Sequence, residues 1–263
     1  MTSVLTRISL TVLAICGLAV STSCSGSDSG GKDGGSPASP SALSATTDAC
    51  PNADLAPLPP SAGLAIYIKN RSAVRSALLC LINAERAATN APPVQSYIGL
   101  RGSSAVTLSQ IAGRHANAAA SIRWWGKAQS YKNKTGKDCT VLNYDTSRCD
   151  SHINPETGST IETRIKDPSY CRSPRALRSF AENTYNGAGV AGQDFAAFRR
   201  GDQLSTPRAA VRWWMWSQGH RENMLNPEFK EVGIGIVPVS ANPDMSATFS
   251  PAGSYVTDYA NCS

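Results

Sequence analysis

Between Trp213 and Ile236 the chain reads WWMWSQGHRENMLNPEFKEVGIGI, and this run limits the fold more than any other. It requires a helix, a polar turn and a strand in immediate succession. Thr206 and Pro207 supply an N-cap and a proline at the first helical position, after which Ala209, Ala210, Trp213, Trp214 and Ser217 fall at helical spacing. The helix is expected to end near Gly219 and to leave His220 in a turn, its imidazole free to point into a cleft. Asn226-Pro227 marks a further turn, and Val232, Ile234 and Ile236 then alternate with Gly233, Gly235 and Val237 as a strand does. The two glycines leave room for another backbone to come close.

Upstream, Val74, Leu78, Leu81, Ile82 and Ala88 recur with helical spacing, so a first core helix is expected over Arg71 to Ala88 with Ser72 as its cap. Asn83 and Glu85 read as its polar edge. A second helix over Thr107 to Ile122 places Leu108, Ile111, Ala112, His115, Ala119 and Ile122 on one face, which makes His115 a hydrogen-bonded core residue rather than a ligand. Thr160 to Ile165 reads as a short helix fed by a turn, Gly187 to Gly201 as a loop, and Lys230 to Pro238 and Ser254 to Ala260 as strands. The five tryptophans at positions 124, 125, 213, 214 and 216 read as core and rim packing, with Trp214 in the core.

The chain of 263 residues fits one large domain with long ends. Arg7 and the apolar run Ile8 to Val20, too short to span a bilayer, read as a secretory signal over residues 1–23. Val20-Ser21-Thr22-Ser23-Cys24 is similar to a bacterial lipobox, with Ser21 where leucine is usual. A lipidated Cys24 would anchor the exported protein to the outer face of the cell membrane; ordinary cleavage and secretion is the alternative. Residues 24–49 contain almost no large apolar side chain and are expected to form a tether, with a reach of about 25 to 30 Å. Residues 50–263 remain for the globular domain.

Two of the eight cysteines, Cys16 and Cys24, fall in or at the signal. Cys50, Cys80, Cys139, Cys149, Cys171 and Cys262 are left for the exported part, an even set that predicts three disulfides without choosing a pairing. No CxxC occurs, so neither a zinc knuckle nor a dithiol redox centre is indicated. The formal charge is +6, or +5 once Arg7 leaves with the signal. The arginine-rich pieces RSPRALR and RRGDQLSTPR read as a solvated basic face. No nucleic-acid motif accompanies them.

Six separated segments carry a resemblance: LLCLINAERAA from Leu78, HANAAAS from His115, SHINPETGSTIETRI from Ser151, FAENTYNG from Phe180, SQGHRENMLNPEFKEVGIGI from Ser217, and SYVTDYA from Ser254. In this order the chain resembles the bacterial branch of the CAP superfamily, named for cysteine-rich secretory, antigen-five and pathogenesis-related proteins. The resemblance spans about Leu78 to Ala260. It implies an α/β (α+β) fold, a three-layer α-β-α sandwich around a small antiparallel sheet. Trp124 to Arg148 departs from the family as an insertion. It is polar, basic and bounded by cysteines, and it is expected to be a surface loop that Cys139 and Cys149 could pin over the cleft.

The family gathers two histidines and one or two acidic residues around a central cleft. Carried over, these are His152, His220 and Glu182, with Asn183 beside Glu182 and Ala181 where glycine is common. The second glutamate falls at Ser217, which cannot supply a carboxylate. The resemblance therefore implies a cleft formed by His152, Glu182, His220, Asn183 and Ser217, in which His152, His220 and Glu182 could hold zinc or another divalent cation. The HExxH spacing of a zinc protease is absent. The first expectation for function is a cell-envelope binding module for a lipid or other apolar ligand. The alternatives are a structural or interaction domain with an unidentified protein partner, and a metal-dependent hydrolase using Glu182 as its base. Ser217 lacks a Gly-x-Ser-x-Gly elbow and makes a weak nucleophile candidate.

Overall fold

A computed structural model describes residues 43, 45–96, 106–131, 136, 138–166, 170–172, 175–189, 204–245 and 251–263. The expected signal, Cys24 and most of the tether lie outside these residues. The end of the tether does not: residues 45–49 form a 3-10 turn with Thr47 buried, so the folded part begins before Cys50. Arg208 holds this segment through Asp48 and Asp54.

Helix α1 runs from Leu64 to Ala88, seven residues earlier than the apolar pattern implies, and Ser72 lies inside it. The first two turns project Leu64, Ile66 and Ile68 into solvent, so no core-facing periodicity marks them. Burial starts at Asn70, whose side chain bonds the carbonyl of Ala56 and the amide of Leu58. Near the other end Arg86 is fully buried and donates to the carbonyls of Pro92, Met224, Asn226 and Phe229. A guanidinium with that many partners fixes α1 against the turn that follows His220.

Helix α2 spans Leu108–Ile122, starting at Thr107 with a reciprocal capping box to Gln110. Its backbone lies on the glycines of strand β2 (Glu231–Val237). A Cβ at Gly233 would collide with the Leu108 carbonyl, and one at Gly235 with that of Ala112. The close approach expected from Gly233 and Gly235 is therefore made by α2. Helix α3 is the short Ile161–Ile165, capped by Thr160.

The other strands are β1 (Leu177–Ala188) and β3 (Ala252–Cys262), and the antiparallel order is β1-β3-β2. Strand β1 was not expected: it includes Gly187, assigned above to a loop, and carries polar Glu182, Asn183 and Thr184 in a buried setting. Val232, Ile234, Ile236, Tyr255 and Tyr259 face α1 and helix α4 (Pro207–Trp216). Val256 and Ala260 face α2. Three layers result: α2 and α3 on one side of the sheet, and α1, α4 and α5 (Gln218–Leu225) on the other.

The helix before His220 breaks at Ser217, not at Gly219. Ser217 has extended backbone, and the chain restarts at once as α5, so Gly219 and His220 are helical. At the break the Ser217 hydroxyl bonds the His220 imidazole.

Disulfides join Cys50 to Cys80, Cys139 to Cys149 and Cys171 to Cys262. Three bridges are the mark of a chain exported to an oxidising compartment. No described helix is long and apolar enough to cross a membrane. The insertion is less superficial than its polar sequence implies. Trp124, Trp125, Tyr131, Cys139 and Cys149 are buried with Ala112, Ala116 and Ala119 of α2, while Lys127, Gln129, Tyr144 and Arg148 are exposed.

Candidate functional site

Strand β1 is an edge strand, and a cleft of about 790 Å³ runs beside it. Thr184, Tyr185 and Asn186 of β1 line it together with His152, Trp213, Ser217 and His220. The rest of the wall comes from the insertion, through Lys127, Leu142, Tyr144 and Arg148, and from Asn242, Asp244 and Met245 before β3. The two wall segments are locked together. Trp125 N–H donates to the Ala241 carbonyl, Asp244 accepts from Lys127 N–H and the Ser130 hydroxyl, and Gly126 has no room for a Cβ beside Asn242. The cleft is thus preformed.

His152 reaches the cleft from the 150–156 turn. Its Nδ1 is 2.8 Å from Glu182 Oε1, the arrangement in which Nδ1–H donates and Nε2 is left toward the cleft. Glu182 itself is buried behind His152. Its second oxygen accepts from Arg164 at 2.6 Å, and His115 Nε2 lies 3.8 Å from the first. Burial alone would favour a protonated Glu182, but the Arg164 charge, then His115 and His152, hold it well below the ordinary carboxylate range. Burial would likewise lower His152, yet the hydrogen bond and charge of Glu182 outweigh it and raise its pKa.

The other imidazoles go the opposite way. Desolvation lowers His220 to about 3, with His152 adding to the effect. His220 is therefore neutral, and its Nδ1 is 2.7 Å from the Ser217 hydroxyl, which can donate to it. Desolvation also lowers His115 to about 4 against the pull of Glu182. As expected, His115 is a core histidine, with Nε2 bonded to the Ser151 carbonyl.

Asn183 departs from the expected cleft set. It points to the other face of the sheet, fully buried, where it donates to the His220 carbonyl and accepts from Asn223. Its role is to hold α5, and so His220, against β1. The expected three-ligand metal set is also not assembled. Among the described residues no three His, Cys, Asp or Glu side chains are placed to share an ion. Both Glu182 oxygens are already engaged by His152 and Arg164. Glu182 orients His152 from behind rather than facing the cleft itself.

Two participants escaped the sequence reading. Arg164 sits inside SHINPETGSTIETRI, where its charge gave no sign of burial; its other bonds go to the carbonyls of His152 and Ser159. Asp258 is the cross-strand partner of Glu182 and is fully buried, with the Glu182 carboxylate as the acceptor within its reach. Burial and the Glu182 charge push its pKa well above the usual range, so it keeps its proton. The available signal was alternation: Asp258 shares a face with Val256 and Ala260, an acid in an apolar row.

Residues 79–250 match the sequence profile of the cysteine-rich secretory protein family, CAP. A 32-residue stretch is 53% identical to part of the uncharacterised protein YkwD of Bacillus subtilis strain 168, covering 12% of this chain and 12% of that protein. Among solved structures, similarity extends to an extracellular protein containing an SCP domain from Bacillus anthracis str. Ames, with 16% identity and a TM-score of 0.40 over 72% of this chain and 43% of the other. A cysteine-rich secretory protein from Staphylococcus aureus subsp. aureus Mu50 matches at 12% identity and a TM-score of 0.34, over 70% of this chain and 37% of the other. The chain thus spans less than half the length of either solved protein.

Proposed function

Because the chain belongs to the CAP family of cysteine-rich secretory proteins, we propose that it is an exported binding module whose cleft receives an amphipathic small molecule, a lipid or a similar ligand. The observation that carries this reading is the preformed cleft, lined by His152 and His220 together with Leu142, Tyr144, Trp213 and Met245. Such a site can orient a polar group at the imidazoles and cover an apolar part along the wall. In the proposed setting, a lipidated Cys24 and the following tether would hold the domain close to the membrane from which a lipid could be taken.

Binding is favoured over catalysis because the carboxylate that would serve as base is closed off from the cleft. Glu182 is buried and paired with Arg164, so it cannot reach a cleft water directly. The test is mass spectrometry of organic extracts from native protein purified without detergent. A co-purifying lipid in near-stoichiometric amount is the expected result, and ligand-free protein from a lipid-containing host would count against the proposal.

One observation favours a second reading, a purely structural role for the polar cluster. Glu182, Arg164 and His152 tie β1, α3 and the 150–156 turn together in one buried network. A zinc titration separates the remaining alternative. A stoichiometric site abolished by both His152→Ala and His220→Ala would favour metal-assisted hydrolysis.

A further inference from the structure

Lys127 and Arg148 are paired across a short antiparallel bridge within the insertion. The flanking bonds, Ala128 N–H to the Ser147 carbonyl and Cys149 N–H to the Gly126 carbonyl, make this a non-hydrogen-bonded pair. That is the cross-strand position at which side chains stand closest, with Cα atoms typically about 4.5 Å apart. Like charges placed directly opposite destabilise a pair of strands. Here two cations occupy the position, and both side chains line the cleft.

Nothing among the described residues neutralises them by direct contact. Neither side chain takes part in an ion pair or a hydrogen bond there. Two residues of the same cleft wall, Asp145 and Asp244, bring carboxylates near enough to feel their charge, but each carboxylate is engaged by other donors. Asp145 accepts from the amide and hydroxyl of Ser147, and Asp244 from the Ser130 hydroxyl and the Lys127 amide. The scaffold cannot easily spread to relieve the repulsion. Cys149, next to Arg148, is bonded to Cys139, and Gly126, next to Lys127, is wedged against Asn242 to Asp244.

We propose that Lys127 and Arg148 form a clamp for an oxyanion, the phosphate or carboxylate group of the ligand that enters the cleft. Arg148 supplies a planar fork suited to two oxygens of one anion, and Lys127 a point charge that rotates onto a third. The anion sits at the insertion wall, and the rest of the molecule runs past Tyr144 toward His152. This inference rests on the proposed binding function and narrows it to acidic amphiphiles. The same chemistry would take a phospholipid headgroup or free phosphate.

The experiment compares the wild-type protein with Lys127→Gln and Arg148→Gln by calorimetry and by NMR of side-chain signals. The probes are dihexanoyl phosphatidic acid, dihexanoyl phosphatidylcholine and inorganic phosphate. The expected result is a preference of roughly tenfold or more for phosphatidic acid over phosphatidylcholine, lost in each variant and weakened by salt. Phosphate alone should shift the Arg148 Nε–H signal and bind more weakly than phosphatidic acid. If phosphate binds at this pair while neither lipid binds, the clamp stands with free phosphate as its ligand, and the lipid-binding function falls. Equal binding of both lipids, unchanged in the variants, overturns the clamp and leaves the binding cleft intact. Binding of none of the three probes overturns the clamp.

Discussion

Glu182 and Asp258 stand directly opposite each other on neighbouring strands, both buried, one ionised and the other holding its proton. The sheet register brings a second carboxyl group beside Glu182. It does so from behind, so Asp258 acts on Glu182 and not on the cleft.

Replacing Asp258 with asparagine tests that protonation state. A carboxyl whose pKa is raised by folding contributes full stability below its unfolded value, near 4, and loses it as pH rises toward the folded value. Asp258→Asn cannot ionise and should escape that loss. Its melting temperature is expected to gain on wild type between pH 4 and pH 7, measured by calorimetry at both pH values. A variant that loses ground at pH 7 would mean that Asp258 is ionised in the fold.

Glu182→Gln should be costly for the converse reason. It leaves Arg164 partly buried beside a neutral side chain, and losing one partner of such a pair typically costs about 3 to 5 kcal/mol. Denaturant titration gives the magnitude. The NMR titration of His152 should move to lower pH in the same variant, because Glu182 is what raises its pKa.

Acid should weaken the fold through the other histidines. His115 and His220 have pKa values lowered to about 4 and about 3, so the unfolded chain takes up protons that the folded one refuses as pH falls from about 6.5. Stability is then lost over that window at up to roughly 1.4 kcal/mol per pH unit for each imidazole. His152, raised in the fold, opposes part of the loss. Urea midpoints between pH 7 and pH 4.5, in wild type and His115→Gln, should show a shallower slope in the variant.

The contact between α2 and β2 depends on absent side chains. Gly235→Ala would drive a methyl group into the Ala112 carbonyl and is expected to cost about 2 to 3 kcal/mol. Gly113, on α2 itself with open space at its Cβ position, provides the control, and Gly113→Ala should be neutral or slightly stabilising.

Opening the insertion should separate binding from folding. Cys139 and Cys149 close a short loop whose bridge is worth about 2 to 3 kcal/mol in the chain-entropy view, and Cys139→Ser/Cys149→Ser should lower the unfolding free energy by that amount, measured by denaturant titration. Ligand affinity should fall further than stability explains, since Lys127, Tyr144 and Arg148 would lose their fixed placement in the cleft wall.

The parts of the fold that were legible in the sequence are those where one face is apolar. Leu108–Ile122 and Glu231–Val237 show their periods plainly. Strand β1 hid itself because both of its faces bury polar groups, Glu182 toward α2 and Asn183 toward α5. The start of α1 was hidden for the opposite reason, since its first turns bury nothing. The histidines and Glu182 came from the resemblance, which placed His152 and His220 in one cleft but could not say which way the Glu182 oxygens turn. That direction is decided by Arg164, whose burial no local pattern announces.

The sheet order has a consequence in time. Strand β3 is the middle of the three, yet it is the last of them to be made, and β1 and β2 do not pair with each other without it. A chain threaded outward from its N-terminus must therefore remain unpaired at its centre until β3 has emerged, and Cys262 can meet Cys171 only then. Closure of the sheet and formation of the Cys171–Cys262 bridge thus both depend on the last strand of the chain.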